Sequence, residues 1–290
     1  MASTRQEVEA DFVGRVIGAA SQGAAGAVVG AVLSSVTEPV VNRVLVKRQS
    51  LSEALAEVDL ESIKKFFSTV VAANFIKFPF FEVVNILVGD LDLPDTAKGA
   101  VLGAVFTTAT LPIGNYRFCK SMGMPVDMNS LYKAYLPTVA RDVVYGVVRQ
   151  NVGSYLAQAY PNLQKTTAGR FFATFFTVLA ACIISAPGNE VRGYYLQPED
   201  RRLPVKEFFK PDRFVRSTTI GGLIMSSALG VGSLVVGPAT ERFNAFKALL
   251  DANPVAKVMV GIFIAQQYLA AKRHTELISK LDSDAAKKNA

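Results

Sequence analysis

The sequence has no tryptophan, a single histidine and only two cysteines. Cys119 and Cys182 cannot build the multi-bridge framework of a small secreted scaffold. The lone His274 excludes a His-rich metal site and weakens any histidine-based catalysis. Charge is scarce as well. Charged residues make up 19% of the chain, against roughly 25% in ordinary soluble domains. Hydrophobic residues make up 50% and the mean hydropathy is +0.29. No paired carboxylates, activated nucleophile or metal-ligand spacing emerges, so neither an enzyme nor a bound cofactor is expected. The segment GAAGAVVG (23–30) lacks the Lys-Ser/Thr of a phosphate-binding loop and follows no strand. The 31 Lys+Arg against 24 Asp+Glu leave a net charge of +7. That excess suits anionic lipid or anionic solutes. Nucleic acid is not expected, because no basic stretch is interleaved with aromatics.

What is present is a set of long stretches without charge. They cover 16–37, 99–116, 171–189 and 217–240, with lengths of 22, 18, 19 and 24 residues. Crossing a hydrocarbon core of ~30 Å takes about 20 apolar residues, and in lipid such segments must be helical. Two further segments are apolar but interrupted: 66–89 carries Lys77 and Glu82, and 131–155 carries Lys133, Arg141, Asp142 and Arg149. A charge at mid-bilayer costs roughly 2.5–3.5 kcal/mol on insertion scales. These two helices therefore need a bundle interior or a water-filled cavity. Residues 254–280 hold too short an uncharged run to span, and read as an amphipathic interfacial or docking helix. The start of the chain carries Glu7, Glu9 and Asp11, unlike an acid-poor transit peptide.

The clean stretches repeat. Pro39, Pro112 and Pro187 are spaced by 73 and 75 residues. Gly26 and Gly30 precede the first proline as Gly99 and Gly103 precede the second, a small-xxx-small pattern that lets helix backbones approach closely. In the third copy Thr174 and Val178 take those places. Arg117 and Arg192 follow Pro112 and Pro187 at equal distance. Pro112 to Arg141 and Pro187 to Arg216 are both 29 residues. Self-similarity at a fixed period indicates a repeat architecture. The expected fold is an all-α membrane protein with six transmembrane helices as three tandem helix pairs under pseudo-threefold symmetry, plus the C-terminal amphipathic helix. The expected divisions are an N-terminal segment 1–12, repeats 13–94, 95–165 and 166–240, and a C-terminal helix and tail 241–290.

Three such pairs, each with a proline followed by a basic residue, resemble the mitochondrial carrier family. LYKAYLPTVARDVVY (131–145) is similar to the start of that family's even-numbered helices, with Ala134 where glycine is usual. FPFFEVVN (78–85) is similar to the aromatic-acidic close of its second helix. The resemblance covers about 13–237. The family's Pro-x-Asp/Glu-x-x-Lys/Arg signature reads here PVVNRV, PIGNYR and PGNEVR. Val41, Gly114 and Asn189 occupy the acidic places, and Val44, Arg117 and Arg192 the basic ones. No closing ring of ion pairs forms from these positions, although Glu190 lies one residue late. The short helix between the paired spans also reads as absent. These departures fit either a divergent carrier or another three-repeat fold with similar punctuation.

By resemblance, Pro39, Pro112, Pro187, Arg117 and Arg192 are remnants of a gate. Carriers contact their solute from the even helices, which points to Arg141, Arg216 and Lys77 as binding residues. The lost gate partners suggest a carrier-like inner-membrane protein that no longer transports, serving as an accessory subunit of a respiratory-chain or ATP-synthase complex. The alternative is a solute carrier for an anionic metabolite. The expected partners are membrane lipids and subunits of such a complex. The basic connections 43–49 and 199–213 suit an acidic partner or a bound anionic lipid such as cardiolipin. The expected location is the mitochondrial inner membrane, or alternatively another organelle membrane.

Overall fold

The computed structural model describes residues 2–198, 202–209 and 211–288, and among them there is no strand. The chain divides into two compact units, Met1–Thr240 and Glu241–Ala290. In the first unit, helix α1 (Ala2–Asn42) passes directly into a five-residue π-helix, Arg43–Lys47. Then follow α2 (Leu51–Ala56), α3 (Leu60–Gly89), α4 (Asp95–Met122), α5 (Met128–Tyr132) and α6 (Tyr135–Ala159). A 3₁₀ turn at Pro161–Lys165 leads to α7 (Thr167–Leu196), α8 (Val205–Phe208) and α9 (Pro211–Ser233). Helix α10 (Val236–Ala252) contains the division between the units, and α11 (Pro254–Lys288) lies in the second. There Asn253 Oδ1 caps α11 by accepting from the Ala256 amide, and Val258, Met259, Ile262 and Phe263 are exposed.

Local chemistry sets the starts of the helices. Ser50 and Glu53 form a capping box on α2, Asp59 caps α3, Asp127 and Ser130 form a second box on α5, and Thr166 caps α7. Each of these side-chain oxygens satisfies an amide that the first helical turn leaves open. The expectation that short linking helices are absent is therefore corrected: α2, α5 and α8 stand between the paired long helices. The prolines are also not terminal. Pro39, Pro112 and Pro187 lie inside α1, α4 and α7, which continue beyond them. A proline removes one internal hydrogen bond without having to end a helix whose neighbours hold it in place.

The six long helices close into a ring. In the order α1, α3, α4, α6, α7, α9, each packs against the next, and α9 packs back on α1. Glycine allows the tightest seams. A Cβ on Gly99 would stand 2.4 Å from Val147 Cα, and one on Gly103 2.1 Å from the Asp142 carbonyl oxygen, so α4 and α6 touch backbone to backbone. Gly26 and Gly30 are less constrained, with hypothetical Cβ contacts of 3.0 Å to the Ala228 carbonyl oxygen and 3.2 Å to the Phe78 ring. The closest seams of α1 lie instead where Gly23 meets Pro79 of α3 and where Gly232 of α9 meets Gln22.

Large apolar side chains cover the outside of the bundle as well as parts of its interior. Among the described residues, five segments are long and apolar enough to cross a membrane: Phe12–Lys47, Leu60–Gly89, Asp95–Met122, Thr167–Leu196 and Ile220–Ala252. Only 33–39% of their apolar windows is buried within the protein. Val28, Val32, Phe75, Ile76, Phe172, Phe176 and Ile183 face outward, whereas Asn74, Glu82, Asn115, Asp142 and Glu190 are buried. Apolar faces turned outward with polar groups inside suit hydrocarbon surroundings. Helix α6 is not among these segments, and its charged residues Asp142 and Arg149 are buried within the bundle.

Candidate functional site

Toward the C-terminal ends of α1, α4 and α7, three side-chain links join these helices in a closed triangle. Glu38 of α1 pairs with Arg117 of α4. Asn115 of α4 accepts from Arg192 Nη2 of α7 at 2.9 Å. Glu190 of α7 pairs with Arg48, just after the π-helix that extends α1, at 2.5 Å. Arg117 also donates to Asn74 of α3, whose amide reaches the Ala27 carbonyl of α1 at 3.3 Å.

The folding around each link explains its geometry. Arg48 adopts a left-handed backbone (φ 56°), which ends the π-helix and turns its side chain inward. Its guanidinium lies 3.6 Å from the centroid of the Phe208 ring of α8, and both members of the Arg48–Glu190 pair are almost fully buried. Asn115 is fully buried. Its amide nitrogen donates to the carbonyls of Leu131 (3.0 Å) and Lys133 (2.8 Å), leaving its oxygen for Arg192. The ring of links thus forms through Glu38, Asn115, Glu190 and Arg48, close to positions where the signature itself holds Val41, Gly114, Asn189 and Val44.

Above this triangle lies a cavity of about 320 Å³ lined by residues of all six ring helices. Lys77, Arg117, Arg141 and Arg192 border it, together with Glu38, Glu82 and Asp142. A smaller recess of about 140 Å³ adjoins it and shares Lys77, Arg117, Arg141, Arg192, Glu38 and Asp142. Arg141 is not a free cation: it pairs with Asp142 at 2.6 Å and donates to Asn189 at 2.9 Å. Asp142 also accepts from the Thr107 hydroxyl at 2.5 Å.

Lys77 and Arg192 differ from the other cations of the cavity. Among the described residues neither has a carboxylate within ion-pair distance. Lys77 Nζ lies 5.4 Å from the centroid of the Phe106 ring, and it would stand 3.1 Å from a Cβ on Gly114. Arg192 Nε is buried without a hydrogen-bond partner.

Toward the other end of the bundle the bore is bridged again, between α3 and α6. Arg149 Nη2 donates to both oxygens of Glu82 at 2.8 Å, and Gln150 donates to Asn85 at 2.8 Å. Phe81 and Tyr145 pack edge to face beside this pair. Beyond it opens a cavity of about 470 Å³ bordered by Arg15, Gln22, Gln150, Ser154 and Thr174.

Of the residues singled out in the sequence, Lys77, Arg141, Arg117 and Arg192 come together at the cavity. Pro39, Pro112 and Pro187 do not line it. Arg216 lies on α9, but its side chain is outside the described residues. His274 lies on α11, with its side chain likewise outside them. Glu38, Arg48, Asn115 and the Glu82–Arg149 pair were not picked out as site residues. Among the described residues no three metal-ligating side chains cluster. Cys182 borders the cavity with its Sγ 4.0 Å from Met225 Sδ.

Compared with known proteins, the chain matches no family model, no curated protein and no solved structure.

Proposed function

We propose that this chain is a membrane carrier for anionic solutes, built from six spanning helices as three like pairs about a pseudo-threefold axis. One observation carries the reading: a cavity lined by all six helices holds Lys77 and Arg192, neither of which has a carboxylate within ion-pair distance among the described residues. An uncompensated charge inside a bundle is costly, and an anionic ligand offsets that cost. A purely structural bundle gains nothing from it. The inward charges of α6 allow that helix to serve as the sixth span, since only its apolar faces then meet lipid.

Besides absent linking helices, which α2, α5 and α8 overturn, and the extra C-terminal segment, the reason for expecting a non-transporting subunit is the loss of gate partners. Three links that close one end and a bridge across the other weaken that reason, because they supply barriers on both sides of the cavity. Alternating access needs barriers of this kind, placed around a site near the bilayer midplane. The resemblance to the mitochondrial carrier family supports the same reading and, with it, placement in the mitochondrial inner membrane. The accessory-subunit reading keeps one supporting observation, the exposed apolar row Val258, Met259, Ile262 and Phe263 on α11, which suits a partner surface.

Reconstitution into liposomes tests the proposal. Saturable, counter-exchangeable uptake of an anion is expected, and it should fall to background in Lys77→Gln and in Arg192→Gln. If a panel of carboxylates and phosphates gives no uptake above empty liposomes, and the protein migrates in mild detergent only within a larger assembly, the subunit reading replaces the carrier.

A further inference from the structure

The two compartments that meet at Lys77 and Arg192 differ in chemistry. The recess is small and bordered by all four cations of the site. Its threonines are not free to donate: the hydroxyls of Thr110 and Thr138 already donate to the carbonyls of Phe106 and Ala134, and that of Thr107 to Asp142. The donors left for a ligand belong to the cations and to the second amide N–H of Asn42. Lys77 offers three N–H groups, and Arg192 keeps the Nη N–H groups not engaged by Asn115. That is a donor set for a head group with two negative charges and three or four acceptor oxygens.

The wider chamber is different. Its described lining from α9 is apolar or glycine, with Ile220, Ile224, Met225 and Leu229 as the side chains. The rings of Phe78 and Phe106 also line it. A small hydrophilic dianion would fill the recess and leave water against this apolar wall. A ligand with an apolar body would cover it and gain the burial.

Resting on the carrier reading, we infer that the solute is amphipathic: a doubly charged anionic head seated beside Lys77 and Arg192, carrying an apolar body that lies against α9. The head is a phosphomonoester or a dicarboxylate, since both present the same charge and acceptor count to these cations.

Binding to the full-length protein in lipid nanodiscs at pH 8, corrected against empty nanodiscs, tests this without requiring transport. The probes are phenyl phosphate and phenylmalonate (body and two charges), benzenesulfonate (body and one charge) and orthophosphate (head alone). At least one of the first two should bind tenfold or more tightly than both benzenesulfonate and orthophosphate, and the tighter of the pair identifies the head. Lys77→Gln and Arg192→Gln should each lower that affinity by roughly tenfold to a hundredfold, to near the level of benzenesulfonate. Ile224→Asn should erase the advantage over orthophosphate while leaving orthophosphate binding intact. If orthophosphate binds the unmodified protein as tightly as phenyl phosphate and phenylmalonate, the inference fails while the carrier reading stands. If none of the probes binds and the liposomes take up no anion, the carrier reading fails with it.

Discussion

Replacing Arg149 by methionine should destabilise the bundle far more than replacing Arg149 and Glu82 together. Arg149 Nη2 sits 2.8 Å from both carboxylate oxygens of Glu82. The two side chains are only 9% and 4% exposed, and the guanidinium carbon lies 4.6 Å from the centroid of the Phe81 ring. Removing one partner of a buried pair strands the other, at ~3–5 kcal/mol, whereas replacing both by apolar residues is close to neutral. Both residues border the 470 Å³ cavity, and water there can reach a stranded carboxylate. The lower end of the range therefore applies to Arg149→Met, about 3 kcal/mol. Glu82→Leu should cost less, about 2 kcal/mol, because the Phe81 ring still faces the cation. The double variant should fall within about 1 kcal/mol of the parent, giving a coupling of about 4 kcal/mol or more. Reversible unfolding in mixed micelles, read by far-ultraviolet circular dichroism, supplies the four free energies. An additive cycle, with coupling below about 0.5 kcal/mol, would mean that the pair is open to water, and the argument from burial would be refuted.

Three further outcomes are expected. Ala134 holds a left-handed backbone at φ 57°; Ala134→Gly relieves roughly 1–2 kcal/mol of strain against a higher unfolded-state entropy, so a net gain of about 1 kcal/mol should appear as a raised unfolding midpoint. A Cβ at Gly103 would lie 2.1 Å from the Asp142 carbonyl oxygen, whereas one at Gly30 meets a rotatable Phe78 ring at 3.2 Å. Gly103→Leu should therefore abolish a monodisperse peak on size exclusion, while Gly30→Ala stays within about 1 kcal/mol of the parent. Glu57, between α2 and α3, has its carboxyl pulled down to about 2 by hydrogen bonds from Lys47, Gln49 and Arg43. Its folded value is depressed, so its tie to the π-helix is fully present above the ordinary value of 4.5 and is lost as pH falls toward about 2. Hydrogen exchange of residues 43–58, corrected for intrinsic rate, should rise over that window in the parent and already be raised at neutral pH in Glu57→Gln.

The long helices were legible because their signal is an absence. A run of 18 or more residues without charge has few alternatives to a membrane span, and the charges that interrupt α3 and α6 had to turn inward. Arg141 and Lys77 were singled out by the carrier resemblance, through the helices that contact solute. The linking helices were missed because α2, α5 and α8 have only 6, 5 and 4 residues, too few for a helical period to show. Their caps were nevertheless written in the chain, as Ser50 with Glu53 and Asp127 with Ser130. The closing links were missed for another reason. A signature read at fixed offsets assumes a regular helix, whereas Arg43–Lys47 is a π-helix with a wider turn, and it is Arg48 beyond it that reaches Glu190. Side chains of this length reach across a helix turn, so the loss of a motif position does not imply the loss of its contact.

The three links differ in how an incoming anion would affect them. Arg48 and Glu190 are buried under Phe208, with side chains 2% and 5% exposed, and Arg48 does not border the recess. Glu38 and Arg117 border it, with side chains 21% and 15% exposed. Arg192 holds only the neutral oxygen of Asn115. An anion in the recess competes with Asn115 for Arg192 and with Glu38 for Arg117, and it leaves Arg48 untouched. Both contested links belong to α4, whereas the protected one joins α7 to α1. Ligand binding should therefore loosen α4 first. Cysteine pairs placed across the triangle measure this: with phenyl phosphate present, cross-linking of Asn42→Cys with Ser121→Cys, whose side chains meet at 2.6 Å in the parent, should fall, while cross-linking of Val46→Cys with Leu196→Cys, both in one core cluster, should hold. Equal loss at both pairs would show that the three links open together, and the distinction drawn from burial would be wrong.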